Sequence, residues 1–340
     1  MYRSKITSPR FLVTLPLPDP GMEILHRTGD VTVLEEPPVY EELVGLCASC
    51  EFDVLVSQLS DRLDARLLER AYIKGISNYA VGFNNIDVPA ATAGDILVAN
   101  TPGILTDATA DLAVLLMLGT ARRVVEGDQL TRSGSFTGWK PDLLLGTDIS
   151  GRILGLAGFG RIGRAVAQRA AGFNMRILYC RRPPSQTAEE TSADIGELAD
   201  KVEAVGWDEV VETSDFLSLH VPLVPETHHL INAETLRRMK DSAILINTAR
   251  GAVVDEAALV AALRASEIAA AGLDVYEAEP ELHHGLSVLS NTLLLPHVGS
   301  ATASVRSEMA RVCAENAAAI GRGDLPPHPV NPEAWERAAG

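Results

Sequence analysis

Three side chains with acid–base or anion-binding chemistry follow three short apolar segments in the second half of the chain. The segments and the residues after them are 243–247 with Arg250, 269–275 with Glu279 and 293–295 with His297. Such runs predict buried parallel strands, whose carboxyl ends line one crevice of an open α/β sheet. An arginine there could bind a carboxylate, and a histidine could donate a proton near neutral pH. Each residue alone could be a turn residue, a solvated charge or a cap, but their shared placement favours one site.

A glycine run, GFGRIG, begins at Gly158 and follows the apolar segment 153–157. In a dinucleotide-binding turn, Gly158 permits the tight bend, Gly160 lets the backbone approach the phosphates and Gly163 lets the helix pack on the strand. The pyrophosphate then binds N–H groups at the start of that helix. The glycines alone are weak evidence, but a strand before them, a helical pattern after them and a second apolar strand favour a dinucleotide over an ordinary loop.

The second strand of this unit, 175–180, ends in Arg181 and Arg182. Chains that prefer NAD place an acid here for the ribose 2'-hydroxyl, whereas guanidinium groups can bind a 2'-phosphate. The alternative is that both arginines open a solvated loop. Their position favours NADP(H) over NAD(H), with NAD(H) still possible.

Composition limits the classes of partner. The chain has 340 residues and a formal charge of −16 from 29 basic and 45 acidic residues, which argues against nucleic acid or an anionic membrane as partner. No apolar run reaches the length of a membrane span. Four cysteines are too few for a disulfide scaffold and predict a cytoplasmic protein, with Cys47 and Cys50 as reduced thiols rather than a redox pair.

Alternating strand and helix patterns predict two Rossmann-like, doubly wound parallel-sheet α/β domains. The first series of predicted strands is 11–15, 31–34, 52–56, 73–77 and 96–98; the second adds 216–220 to the segments above. A long amphipathic stretch, 106–133, lies between the two series, and a helix is predicted at 301–321. Since that helix has nowhere to pack except on the first unit, we predict a discontinuous, flavodoxin-like substrate domain, 1–101 with 299–340, and an inserted cofactor domain, 102–298. The proline-rich tail, 325–332, is predicted to be extended.

Several motifs in order resemble those of one family, the D-isomer-specific 2-hydroxyacid dehydrogenases. Beyond the glycine run they are SDFLSLHVPL (214–223), INTARG (246–251), GLDVYEAEP (272–280) and PHVGSAT (296–302). Within the family the chain is most similar to the glyoxylate/hydroxypyruvate reductases, through ISNYAVGFNNIDV (76–88), NTPGILTDATADLA (100–113) and FTGWKPDLLLGTD (136–148).

The resemblance implies an NADPH-preferring reductase of glyoxylate and/or hydroxypyruvate. His297 would donate a proton to the substrate C2 oxygen as hydride arrives, Glu279 would stabilise the imidazolium, and Arg250 would bind the keto acid. Substrate would also contact the residues Val81, Gly82, Leu59, Trp139 and Ser300. For Leu59 and Trp139, core packing is an open alternative.

The cofactor-binding residues that this reading predicts combine the glycine loop, the two arginines and the family's contacts. They are Thr109, Gly158, Gly160, Arg161, Ile162, Gly163, Arg181, Arg182, Val221, Pro222, Thr227, Thr248, Ala249, Asp274, His297 and Gly299. Asp274 resembles the acid that binds the carboxamide of the cofactor.

Other readings stay open at this point. A D-3-phosphoglycerate dehydrogenase or another D-2-hydroxyacid dehydrogenase would share these motifs, and so would a nucleotide-sensing corepressor. The pairs His228-His229 and His283-His284 have no matching carboxylate or cysteine spacing, so no metal is predicted. The family implies a homodimer.

Overall fold

The computed structural model describes residues 8–184 and 196–339, and the chain divides into two compact units. One unit joins Met1–Leu105 to Ser300–Gly340, and the other is Thr106–Gly299. The first unit is therefore assembled from two separate stretches of sequence, and each unit holds its own parallel sheet.

The sheet of the first unit has five parallel strands in the order β2-β1-β3-β4-β5, which is the flavodoxin-like order. The strands are β1 (Arg10–Val13), β2 (Asp30–Val33), β3 (Val54–Ser57), β4 (Gly75–Asn78) and β5 (Leu97–Ala99). Successive side chains point to opposite faces, so Phe11 and Val13 lie in one apolar cluster and Leu12 in the other. Because both faces are covered, β3, β4 and β5 are buried along their whole length, whereas the edge strand β2 stays partly exposed.

Helices cover both faces of this sheet. Those contributing to one core cluster are α1 (Gly21–Thr28), α11 (Ala303–Arg322) and α12 (Pro332–Ala339); those contributing to the other are α2 (Tyr40–Ala48), α3 (Ala65–Leu68) and α4 (Val88–Ala93). The buried Ser77 hydroxyl donates to the Cys313 carbonyl at 2.7 Å, which ties β4 to α11. The late helix thus completes the unit formed by the first hundred residues.

The sheet of the second unit has seven parallel strands in the order β12-β11-β10-β9-β6-β7-β8. They are β6 (Ile153–Ala157), β7 (Arg176–Cys180), β8 (Val202–Ala204), β9 (Phe216–Leu219), β10 (Ile244–Asn247), β11 (Ala270–Leu273) and β12 (Thr292–Leu294). The strand order reverses between β6 and β9. In such sheets ligands bind outside the carboxyl ends of the strands at that reversal.

Two apolar clusters also enclose this second sheet. One face is packed by α5 (Thr106–Ala121) and α7 (Arg161–Ala171), and the other by α8 (Trp207–Thr213), α9 (Ala233–Arg238) and α10 (Glu256–Ala265). Within β7, Ile177 and Tyr179 face the first cluster, while Leu178 and Cys180 face the second. The unit is therefore a three-layer, doubly wound α/β sheet.

The predicted fold class is confirmed in both units, and every predicted strand overlaps an observed one. Three details differ. The strand β8 escaped prediction because its short, partly exposed sequence lacks an apolar run. The stretch 106–133 is two helices, α5 and α6 (Val124–Arg132), since Arg123 adopts a left-handed conformation with φ 52°. The tail predicted to be extended, 325–332, contains no helix up to residue 331 and departs from the prediction only at Pro332, where α12 begins with a residue tolerated in a first helical turn.

Across the described residues, no helix combines the length and the apolar character needed to cross a membrane. The two thiols of the CxxC sequence differ in environment. Burial raises the pKa of Cys47 in α2 to about 12, and Cys50 lies beyond the helix and is exposed.

Candidate active site

The glycine loop joins β6 to α7 at the reversal of strand order. Gly158 has φ 94°, and a Cβ on it would lie 2.6 Å from the His220 carbonyl oxygen. A Cβ on Gly163 would lie 2.4 Å from the Gly158 oxygen. Around Gly160, by contrast, no described atom beyond its chain neighbours lies within 4 Å of where its Cβ would be, and no described side chain caps the first N–H groups of α7. The loop is thus crowded by backbone at Gly158 and Gly163 and open at Gly160 and the start of α7, where a pyrophosphate could bind.

The two arginines follow β7 directly beside this loop. The Gly158 N–H donates to the Cys180 carbonyl at 2.9 Å, so the chain leaves β7 next to the glycine turn. Arg181 is partly buried and Arg182 is exposed. Their position is the one at which the adenosine ribose is recognised in dinucleotide folds.

The three candidate catalytic residues come from the ends of three neighbouring strands, β10, β11 and β12. The His297 Nδ1 and Glu279 Oε2 atoms lie 2.7 Å apart, and about a third of each side chain is exposed. Arg250 is close enough for its charge to act on Glu279. The structure therefore brings together residues that are 29 and 18 positions apart in sequence.

Asp274 holds the backbone that carries His297. The His297 N–H donates to the Asp274 carbonyl, and the N–H groups of Val298 and Gly299 donate to the two carboxylate oxygens, each at 2.8 Å. His297 itself has φ 53°, an uncommon conformation for a non-glycine residue that these bonds stabilise. Burial raises the pKa of Asp274, whereas the two N–H groups act to lower it. The Thr109 hydroxyl adds a bond to the Gly299 carbonyl at 3.2 Å.

Glu279 is held by two donors. Its Oε1 accepts the Tyr276 N–H at 2.8 Å while Oε2 faces His297. Burial acts to raise the pKa of Glu279, but the hydrogen bonds from His297 and Tyr276 and the charge of Arg250 outweigh it, so the pKa is lowered. The carboxylate is thus ionised at neutral pH and orients Nδ1 of the imidazole, which leaves Nε2 for a substrate.

Arg250 is a half-buried cation with spare hydrogen-bonding capacity at its buried Nε. Burial lowers its pKa, and the charge of Glu279 acts in the opposite direction. Its Nη1 donates to the Ala249 carbonyl at 2.7 Å, but within the described chain the buried Nε has no hydrogen-bond partner. An unsatisfied buried charged donor is costly, so this site favours an anion with acceptor oxygens.

The turn that carries Arg250 is shaped by residues the sequence did not single out. Buried Asn247 donates from Nδ2 to the Arg250 carbonyl at 2.9 Å and accepts the Ala249 N–H at 3.0 Å. A Cβ on Gly251 would lie 1.8 Å from the Tyr276 carbonyl carbon, so the Arg250 turn and the Glu279 loop pack backbone to backbone. An asparagine at a strand end was the available signal for this turn.

In the first unit, a group of carboxamides shapes the loop after β4. Asn78 donates to the Gly82 carbonyl at 3.0 Å, and Asn100 donates to the Val81 carbonyl at 2.7 Å. These bonds use the carbonyls and leave the N–H groups of Val81 and Gly82 without a partner among the described residues. Asn85 also binds the Gln58 and Asp61 carbonyls, at 3.1 and 3.0 Å. These hydrogen bonds fix the conformation of the loop. Asn85 and Asp61 were not predicted from the sequence.

The Asp61 carboxylate stabilises the neighbouring loop, which carries the half-buried Leu59. It accepts the Thr14 hydroxyl at 2.6 Å and the Gln58 N–H at 2.7 Å. Burial raises the pKa of Asp61, and both bonds act to lower it.

The remaining predicted cofactor residues lie at or near the carboxyl edge of the second sheet. Val221, Thr227, Thr248, Ala249 and Gly299 are buried, Ile162 is half-buried, and Arg161 and Pro222 are exposed. Thr227 donates its hydroxyl to the Pro222 carbonyl at 2.6 Å, which sets the turn after β9.

Trp139 is 83% exposed, so the core-packing alternative for it is wrong. Ser300 is half-buried and belongs to the first unit.

The histidine pair 228–229 has a neighbour that its sequence spacing did not reveal. The His229 Nε2 lies 2.6 Å from the Glu277 Oε1, across 48 positions of sequence. His229 therefore has a carboxylate neighbour, contrary to the expectation from sequence spacing.

Comparison with known proteins agrees with this geometry. A family model described as D-isomer specific 2-hydroxyacid dehydrogenase, NAD binding domain, matches residues 114–299. The chain is 45% identical over 328 residues to a glyoxylate reductase of Thermococcus litoralis, covering 95% of this chain and 97% of the relative.

Solved structures give the same picture. A glyoxylate reductase from Paecilomyes thermophila has a TM-score of 0.82 at 32% identity, covering 96% of this chain and 99% of that one. An NADPH-dependent glyoxylate/hydroxypyruvate reductase from Sinorhizobium meliloti, in complex with NADP and malonate, has a TM-score of 0.81 at 31% identity, covering 96% and 97%.

Proposed function

The chain belongs to the D-isomer-specific 2-hydroxyacid dehydrogenases and is an NAD(P)-dependent oxidoreductase acting on a CH–OH group, and we propose that it reduces glyoxylate and/or hydroxypyruvate with NADPH. The products would be glycolate and D-glycerate. The observation that carries the proposal is the His297–Glu279 pair together with Arg250, whose buried Nε lacks a partner among the described residues. Relatives named glyoxylate reductase support this choice of substrate.

The first role is substrate binding by Arg250. Its guanidinium binds the carboxylate and the C2 carbonyl oxygen of the keto acid, which satisfies the buried Nε and polarises C2. The N–H groups of Val81 and Gly82 stay a prediction as a further binding place for the substrate carboxylate. Leu59, Trp139 and Ser300 stay predictions as further substrate contacts.

The second role is proton donation by His297. Because Glu279 holds Nδ1, the Nε2–H is the proton that reaches the C2 oxygen. The bound cofactor supplies the hydride to C2. As the oxygen takes up charge, the proton moves from Nε2, and the pair then retrieves one from solvent. Asp274 acts as a positioning residue through the backbone of His297, and its carboxylate can also accept the cofactor carboxamide.

The proposal is tested with His297→Gln, assayed for NADPH oxidation with glyoxylate and hydroxypyruvate and, separately, for NADPH binding. We expect turnover to fall by about a hundredfold or more with binding within a fewfold of wild type, because acid–base catalysis contributes roughly 10²–10⁴. His283→Gln, outside the site, is the control. Unchanged turnover in the His297 variant, or a wild type that reduces neither acid, would overturn the proposal.

The NADPH preference rests on Arg181 and Arg182, which follow the strand beside the glycine loop. Replacing both by Ala should lower kcat/KM for NADPH at least tenfold and leave that for NADH nearly unchanged, since only NADPH carries the 2'-phosphate. Arg176→Ala on the same strand, where the arginine pairs with Glu203 at 2.7 Å, is the matched control. A wild type that prefers NADH would contradict this part.

A homodimer accounts for the apolar surface around α5, α6 and the following loop. Its most exposed members are Leu115, Val124, Phe136, Trp139 and Leu145, each at least half exposed. Large exposed apolar side chains gathered in one segment indicate an interface, and a second copy of the chain is the proposed occupant. Light scattering should give twice the monomer mass, and Trp139→Ser with Leu145→Ser should weaken association.

A cytoplasmic location stays a prediction from cysteine content.

A further inference from the structure

Three metal-ligating side chains outside the catalytic pair lie together at the surface of the second unit. They are His228, His229 and Glu277, whose candidate ligand atoms all lie within 4.8 Å of one another. The two imidazole rings are 4.1 Å apart between centroids and tilted by 30°. None of the roles proposed above for hydride transfer uses any of the three.

The backbone around each side of this cluster is independently fixed. The His229 N–H donates to the Ala252 carbonyl at 2.9 Å. His229 also has φ 50°, a left-handed backbone conformation that turns the chain sharply at this residue. On the other side, the Glu277 N–H donates to the buried Glu256 carboxylate at 2.8 Å. Neither anchor depends on the contact between His229 and Glu277, so the backbone at both residues is set independently of that contact.

We propose that His228, His229 and Glu277 form a binding site for one divalent transition-metal ion of the Zn²⁺, Co²⁺ or Ni²⁺ type. Two imidazole nitrogens and one carboxylate oxygen suit these ions, whereas Mg²⁺ and Ca²⁺ prefer oxygen ligands alone. Three protein ligands leave a further position for water.

The three ligand atoms must shift relative to one another to hold such an ion. With metal–ligand bonds of about 2.0–2.2 Å, tetrahedral ligand atoms lie roughly 3.3 Å apart. The His229–Glu277 contact of 2.6 Å must therefore open by about 0.7 Å, and any wider pair must close. Both side chains are about one-third exposed, so an ion can reach them from solvent.

A simple surface ion pair between His229 and Glu277 is the competing explanation. It accounts for the short contact but gives no role to the second imidazole. The two explanations separate on His228, which a metal site needs and an ion pair does not.

The experiment titrates ZnCl₂ or NiCl₂ into protein stripped with a chelator and measures binding by calorimetry. Wild type should bind one equivalent per chain. Each of His228→Ala, His229→Ala and Glu277→Gln should weaken binding at least tenfold. The matched control is His283→Ala with His284→Ala: these neighbours also stack, at 4.6 Å, but the described residues offer them no third ligand. This control should bind like wild type.

Co²⁺ provides a second readout, since the intensity of its visible absorption reports the coordination number. Unfolding curves of the metal-free variants identify any that fail to fold, and the remaining single variants still decide the question. No binding by wild type, retention of affinity in His228→Ala, or equal loss in the control would overturn the inference. Because no turnover is measured, failure here leaves the proposed reductase activity intact, and failure of that activity leaves the metal site intact.

Discussion

Replacing Glu279 by Gln tests how the carboxylate supports proton transfer. In the wild type, one oxygen accepts the Tyr276 N–H and the other faces Nδ1 of His297. Glutamine has the same size but only one acceptor oxygen, so its NH₂ group must face one of these two donors. The variant thus loses a charge and also places its NH₂ donor against another donor.

The magnitude follows from the geometry and the exposure. A hydrogen bond to a charged group contributes about 1.5–3 kcal/mol, and screening reduces this where both partners are partly exposed. The side chains of His297 and Glu279 are 32% and 33% exposed. We therefore expect a loss of about 1–2 kcal/mol, which corresponds to a fall in kcat of roughly 5- to 30-fold.

The assay is steady-state NADPH oxidation with a saturating keto acid between pH 5 and 8. Because the pKa of Glu279 is lowered, its carboxylate is ionised over this whole range, and the loss of kcat in the variant should persist throughout it. At more acidic pH, below the lowered pKa of Glu279, protonation of the carboxylate removes the pair from the wild type as well, and the ratio of wild-type to variant kcat should approach one.

Glu281→Gln removes the same charge from the same loop without touching His297 and should keep wild-type kcat. The reasoning would be refuted by wild-type kcat in Glu279→Gln, by an equal loss in the control, or by a ratio that already collapses between pH 6 and 7.

Three further outcomes are expected. Asn85→Ala leaves the Gln58 and Asp61 carbonyls without a donor; urea unfolding should show a loss of about 1–2 kcal/mol, and KM for the keto acid should rise. Gly251→Ala forces a Cβ to within 1.8 Å of the Tyr276 backbone and should lower the free energy of unfolding by about 1–3 kcal/mol. Gly45→Ala in α2, with open space around it, should instead raise the free energy of unfolding by about 0.5–1 kcal/mol. Burial lowers the pKa of His220 to about 4, so the unfolded chain gains a proton near pH 6.5 and the folded chain does not. The free energy of unfolding should fall by about 1–3 kcal/mol between pH 6.5 and 4, and His220→Gln should flatten that slope.

Much of the fold can be predicted from sequence because both sheets are buried on two faces. Burial on both faces makes most strands largely apolar, as in 153–157, and that pattern is local. Gly158 could likewise be predicted, since its positive φ is a property of a single residue. The edge strand β8 could not, because a partly exposed strand of three residues carries no such pattern.

The candidate site divides in the same way. Residue type and place after a strand were enough to select Arg250, Glu279 and His297, because parallel strands end at one edge of their sheet. The strand order that makes β10, β11 and β12 neighbours, the pairing of Glu279 with Nδ1, and the orphaned Nε of Arg250 appear only in the tertiary structure. So does the meeting of His229 with Glu277. These contacts join residues far apart in sequence, and their geometry depends on how strands and loops pack rather than on any local periodicity.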